Sequence, residues 1–339
     1  MAETRHRLRA PGVAAGAALA VLLGALPAGA QPATSAAAPG APGNWPSHPI
    51  RLVVPFSPGG TADTLGRLVA RQLGESLKQP WIVENRAGAG GVVGSEVVAH
   101  APADGYTWVV SGVASHVLAP AVSKVPFDPL RDFTHVALFG GPPIALCVNP
   151  SLGVADLKEF VATAKSRQLS YGSPGTGTQG QLIAELFKQA AGFDMTHIPY
   201  KGASGAIADL MAGILPATST TLTTASGQIR SGRIKALAIT TRRRLPDYPD
   251  VPTFEEMGYP KLVASVWFSL SGPAGVPADI VSRLNAEVRK ALDAPEVRNR
   301  LRLEGIEANE LDAEQFTQFV REEVQRWTPI VKGSSAMND

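Results

Sequence analysis

Two short glycine-bearing turns are where this chain could do chemistry. The first lies in residues 50–63, IRLVVPFSPGGTAD. Its β-branched run 50–54 has strand length, and Pro55 ends it. Phe56, Ser57, Pro58, Gly59 and Gly60 follow, and their turn leaves backbone N–H groups uncovered. Thr61 is placed to cap a helix that starts near Ala62, with Asp63 in its first turn. A strand, a glycine turn and a helix N-terminus make an anion-binding corner, because free N–H groups and the helix dipole both favour negative charge. The same device recurs at residues 171–178, YGSPGTGT, where Ser173, Gly175, Thr176, Gly177 and Thr178 join a strand to a helix. The first turn reads neither GxGxxG nor GxxxxGK[ST], and no lysine follows its glycines to meet a triphosphate. A carboxylate suits these corners better; a plain strand-to-helix turn is the alternative reading.

Other chemistries find less support. The six histidines include no HExxH pair and no His/Cys/Asp cluster at metal spacing, so no metal is expected. Ser57 sits in F-S-P-G-G rather than the G-x-S-x-G of a nucleophile elbow, which argues against a hydrolase. Ser115 and His116 end a loop after the strand 106–110, and a lone His beside a Ser there reads as a cleft-lining or hydrogen-bonded residue rather than a general base. The one cysteine, Cys147, lies in the apolar run 144–148 and reads as a buried, inert thiol.

The elements that must hold these corners alternate strand and helix. Leu65, Leu68, Val69, Leu73 and Leu77 repeat at helical spacing after the first corner. Strands at 81–84 and 106–110 bracket a second glycine-rich turn, ENRAGAGG, and a helix at 92–100. That order implies a parallel sheet with right-handed crossovers. A break at Gly140-Gly141-Pro142-Pro143 separates two strand-like runs and marks a crossing into a second domain. The strand-turn-helix pattern resumes there, and residues 271–277 supply a return crossing before three terminal helices. The expected architecture is α/β with two Rossmann-like lobes and a ligand cleft between them. Residues 48–140 with 265–339 would form a discontinuous first lobe, and 141–264 the second.

Composition narrows the setting. Apolar residues make up 45% of 339, enough for a full core. Arg5, Arg7 and Arg9, the apolar run 13–26 and Ala28-Gly29-Ala30 make residues 1–30 a cleavable secretory signal. Residues 31–47, rich in Ala, Pro and Gly, read as a flexible tail. Three arginines against Glu3 give the signal a net +2, which is the whole of the chain's +2, so the remainder is near neutral. A near-neutral chain lacks the basic footprint of a nucleic-acid binder. One cysteine in an exported chain forms no internal disulfide.

The residues now carry a likeness. The segments 49–67, 83–96 (VENRAGAGGVVGSE), 103–107, 171–178, 197–213 (HIPYKGASGAIADLMAG), 231–244, 250–259 and 267–277 resemble, in order, the substrate-binding proteins of tripartite tricarboxylate transporters, the Bug family. The resemblance implies a two-domain periplasmic binding fold of type II, a Venus flytrap. It also implies a cofactor-free, monomeric binder of di- or tricarboxylates or aromatic acids that hands its ligand to membrane transporter components. The family grips a ligand carboxylate with two loops, which correspond here to 56–63 and 173–178. Gln181 stands where many members have His, and Thr220 in a stretch where many have Asp, which favours a ligand without a cationic group. A sensor partner of a signalling receptor is the alternative role for the same fold.

Overall fold

The computed structural model describes residues 45–306 and 310–333. The signal expected over 1–30 lies outside these residues, as does the tail expected over 31–47 up to residue 44. In chain order the described strands are β1 (Ile50–Val54), β2 (Trp81–Asn85), β3 (Thr107–Gly112), β4 (Phe133–Gly140), β5 (Ile144–Val148), β6 (Leu169–Ser173), β7 (Met195–Pro199), β8 (Ala217–Thr221), β9 (Lys235–Ile239) and β10 (Phe268–Pro273). The helices are α1 (Thr61–Leu77), α2 (Val92–Ala99), α3 (Ala119–Val122), α4 (Leu157–Ser166), α5 (Gln179–Ala191), α6 (Ala203–Met211), α7 (Leu222–Arg230), α8 (Ala278–Asp293), α9 (Pro295–Leu303) and α10 (Ala313–Gly333).

The strands form two five-stranded sheets, in the orders β2-β1-β3-β10-β4 and β7-β6-β8-β5-β9. In the first, β1 runs parallel to β2 and β3, with Ile50 opposite Trp81 and Leu52 opposite Trp108. In the second, β6 runs parallel to β7 and β8. These parallel triplets are joined through helices; their inner strands β1, β3, β6 and β8 are buried along most of their length, while β2 and β7 at the sheet edges are partly exposed. Neither sheet is wholly parallel. β10 lies antiparallel between β3 and β4, and β5 lies antiparallel between β8 and β9. Both arrive from the opposite sheet rather than through a helical crossover, so no right-handed βαβ rule fixes their direction.

Helical spacing fills the cores as expected. Leu65, Val69, Leu73 and Leu77 of α1 are buried, and so are Ile280, Leu284, Val288 and Leu292 of α8. α8 and α10 pack on β4, which brings the C-terminal helices onto the first sheet. Each such side chain contributes roughly 1.5–3 kcal/mol when fully buried.

Where the chain passes between sheets, its two crossings run side by side. Pro143 and Ser265 form an antiparallel bridge, and the Val266 N–H donates to the Pro142 carbonyl at 3.1 Å. The Ile144 N–H donates to Thr240 Oγ1 at 3.0 Å, and that hydroxyl donates to the Ala264 carbonyl at 2.6 Å.

The tail expected to be flexible through residue 47 is already packed at Trp45. The Trp45 indole is buried and donates to the Gly105 carbonyl at 3.2 Å, with the Arg283 guanidinium over its ring. The Ser47 N–H donates to the Tyr106 hydroxyl at 2.9 Å. An aromatic anchor on lobe-one residues overrides the Pro- and Gly-rich composition around it.

Candidate functional site

Strands β1, β6 and β8 each end in a loop or residue that starts a helix, and a fourth helix starts after β7. The residues preceding α1, α5, α6 and α7 are Gly60, Thr178, Gly202 and Thr221, and none makes a side-chain cap. Helix geometry leaves the first N–H groups without intrahelical partners. Gly60, Thr61, Thr178, Gln179, Ala203 and Thr221, from these four helix starts, line one cavity of about 50 Å³. Phe56, Val113, Ala114, Ile144, Val266, Trp267 and Phe268 supply apolar wall, and among the described residues no charged side chain lines the cavity. Four positive helix ends around an apolar, uncharged chamber favour a small anion with an apolar body.

The two expected corners meet across this cavity. Phe56, Gly60 and Thr61 line it from the first lobe, and Thr178 from the second. Thr61 does not cap its helix. It is the first helical residue, and its hydroxyl crosses the cleft to Thr221 Oγ1 at 2.7 Å and Thr224 Oγ1 at 3.1 Å. Ser57 and Pro58 form the rim. The Ser57 N–H and hydroxyl both donate to the Lys201 carbonyl, at 3.1 and 3.0 Å, and Ser204 Oγ donates to the Pro58 carbonyl at 2.9 Å.

Asp63 holds the corner rather than facing the ligand. Its carboxylate accepts from the Gly59 N–H at 2.9 Å, from Asn85 Nδ2 at 2.9 Å and from Arg67 Nε at 3.0 Å. Burial alone would raise its pKa, but the hydrogen bonds from Arg67, Gly59 and Asn85 more than offset this and hold it below the ordinary value. Gly59, at φ +80°, takes the left-handed turn this arrangement needs.

The second loop is wired internally. Ser173 Oγ meets His197 Nε2 at 2.7 Å and accepts from the Gly175 N–H at 3.1 Å. Thr178 Oγ1 donates to the Gly175 carbonyl at 2.6 Å, and the Gly177 N–H donates to Gln181 Oε1 at 2.9 Å. The carbonyl of Thr176 faces Gly90 across the cleft.

Three expected residues lie elsewhere. Ser115 and His116 are buried, and neither is in the cavity wall, which Val113 and Ala114 occupy instead. β3 runs straight into a π-helical turn at Ala114–Leu118, so the expected loop does not form and its side chains turn into the core. His116 Nδ1 meets Ser115 Oγ at 2.9 Å, and its ring packs edge-on to Phe133 at 4.4 Å. Thr220 is also buried outside the wall; its neighbour Thr221 takes the cavity position.

The buried histidines set an acid limit. Burial, and then the neighbouring His135, push His116 well below the usual imidazole range. His135 donates from Nε2 to the Pro129 carbonyl at 2.9 Å, so its Nδ1 accepts from the Ser271 hydroxyl at 2.9 Å. Burial pushes His135 down to about 4 from an ordinary 6.5, against the opposing effect of the Pro129 bond. Above pH 6.5 both folded and unfolded states are neutral there. Below it the unfolded chain binds a proton that the native state refuses until about pH 4. Stability should therefore fall by about 3 kcal/mol across that window from His135 alone. Urea unfolding from pH 7 to 4.5 checks this, and His135→Gln should flatten the slope; an unchanged slope would refute it.

Several cavity residues were not anticipated. Gln179 and Thr221 had no motif to flag them, and Phe268 lies in the 267–277 segment without having been singled out. Trp267 is both core and wall, its indole donating to Glu323 Oε2 at 2.9 Å. The ENRAGAGG turn supplies Asn85 and the close-approach Gly90, and its dense glycines were the available signal. Cys147 is buried, and burial pushes its thiol up to about 12. Among the described residues, no three His, Cys, Asp or Glu side chains cluster as a metal site, and no helix is long and apolar enough to cross a membrane.

Comparison with known proteins covers both lobes. Residues 65–335 match the family model described as tripartite tricarboxylate transporter family receptor. Protein BugT of Bordetella pertussis is 37% identical over 305 residues, covering 88% of this chain and 93% of that protein. The structure of Rpa4515 from R. palustris, solved with adipate, aligns with a TM-score of 0.82 at 34% identity over 85% of this chain and 98% of that one. MatC (Rpa3494) from Rhodopseudomonas palustris, solved with bound malate, aligns with a TM-score of 0.79 at 32% identity over 85% and 100%. The fold is thus the two-lobe α/β fold of periplasmic binding proteins.

Proposed function

The chain belongs to the tripartite tricarboxylate transporter receptor family, and on that premise we propose that it captures a small carboxylate between its lobes and delivers it to the membrane components of such a transporter. It is a carboxylate-binding receptor and not an enzyme. One observation carries the choice of ligand: four uncapped helix starts border a cavity that has no charged side chain. Such a site offers main-chain N–H groups and dipoles to an acid group. It offers no carboxylate to an amine. The relatives solved with adipate and malate support the same class.

The protein works in the periplasm as a monomer, after its leader is removed. A cavity of about 50 Å³ has room for a few waters at ~10–15 Å³ each. A multi-atom acid therefore enters with the lobes parted, and they close by rotation at the paired crossings near residues 140–143 and 263–267.

Calorimetry against a panel of di-, tri- and aromatic carboxylates tests the reading. One class should bind, and ligand at a hundred times its dissociation constant should add roughly 2.7 kcal/mol of stability. Thr61→Val should weaken that binding about tenfold or more while the melting temperature without ligand changes little, since the mutant loses one hydroxyl and keeps its shape. Normal affinity in Thr61→Val would show that the first corner is not where the acid sits.

A further inference from the structure

Gln179 is the first residue of α5 and lines the cavity, yet it is only 2% exposed. Neither its Oε1 nor its Nε2 has a hydrogen-bond partner. The amides of the two corners are used for structure: Gln181 takes the Gly177 N–H, and Asn85 bridges the Phe56 carbonyl and Asp63. A buried donor and acceptor left open are costly, and a chain that keeps such a group has a use for it.

We propose that Gln179 selects acids that carry, besides the carboxylate held by the helix ends, a neutral group able both to donate and to accept a hydrogen bond. A hydroxyl or a carboxamide is such a group. This rests on the carboxylate reading of the cavity given above. The amide decides the class by what it leaves unpaired. A second carboxylate only accepts, so Oε1 stays open, and it brings a further charge to a wall without a cation. An ammonium only donates, so Nε2 stays open, and it faces four positive helix ends. An alkyl group serves neither atom. A hydroxyl can donate to Oε1 while its lone pair accepts from Nε2, and a carboxamide can do the same with its own N–H and carbonyl.

The test is calorimetry on matched pairs: malate with succinate, succinamate with succinate, and the hydroxybenzoates with benzoate. On the wild-type chain at least one member bearing the neutral group should bind about tenfold tighter than its parent acid, since a site built for such a group rejects the analogue lacking it. In Gln179→Leu and Gln179→Met that ratio should fall to near one, whatever affinity the parent acid itself keeps. A ratio that survives in both variants overturns the proposal, and so does a wild type that binds parent acids without preferring any partner. If no acid on the panel binds the wild type, the carboxylate reading itself falls and takes this inference with it.

Discussion

Gly90→Ala should lower carboxylate affinity by roughly 100-fold, about 2.7 kcal/mol, while both lobes stay folded. Gly90 lies in the ENRAGAGG turn of the first lobe at φ +62°. A Cβ added there would lie well under 3 Å from the Thr176 carbonyl oxygen, which belongs to the opposite lobe. That atom is backbone in a loop tied down by Ser173, Thr178 and Gln181, so it cannot swing aside. The methyl would hold the lobes apart. The Thr61 hydroxyl would lose Thr221, and Ser57 would lose Lys201. An acid in the parted cleft would touch one set of helix ends instead of two.

Backbone strain has to be separated from wedging. An alanine at positive φ costs about 1–2 kcal/mol anywhere. Gly232 provides the control, with φ +72° and nothing within 4 Å of an added Cβ. Gly232→Ala should lose a similar amount of stability and keep its affinity. Gly90→Ala should lose affinity, and small-angle scattering with saturating ligand should show it more open than the wild type. Wild-type affinity in Gly90→Ala would mean that the cleft does not need this approach to bind.

Much of this site was legible in the chain because its working parts are local. A strand, a glycine turn and a helix start occupy consecutive residues, so the corners at 56–63 and 173–178 could be read directly. Asp63 could be placed in the first turn of that helix, and from there its carboxylate reaches back to the Gly59 N–H. What escaped notice depends on partners far away in sequence. Thr61 reads as a helix cap, but its hydroxyl has Thr221 available 160 residues later. His116 beside Ser115 reads as a cleft residue, yet the turn after β3 is π-helical and takes both inward. Thr220 and Thr221 differ by one position on a strand, and alternation decides which reaches the cavity. No local pattern signals that phase in a run as uniform as ATSTTLTT. Gln179 carries no motif at all; only its burial without partners marks it.

Among the glycines of the described residues, Gly141→Ala should be the most damaging alanine substitution, costing more than about 4 kcal/mol. Gly141 sits in the first crossing, between β4 and β5. Its Cβ would fall far inside contact distance of the Val266 carbonyl, with Val266 C and Trp267 Cα next nearest. All three are backbone atoms of the return crossing, so no side chain can rotate away. The crossings would have to separate, breaking the Val266-to-Pro142 hydrogen bond and the Pro143–Ser265 bridge. β10 begins at Phe268, two residues beyond Val266, and lies between β3 and β4. Displacing its entry would therefore open the middle of the first sheet, not an edge. The expected result is a large drop in urea midpoint or loss of soluble protein. Gly227→Ala, in α7 with nothing within 4 Å of an added Cβ, should leave stability unchanged or slightly raised. A Gly141→Ala protein as stable as wild type would show that the crossings can part freely. Closure would then need another axis, because two strands that share a backbone contact this tight must turn together when the lobes rotate.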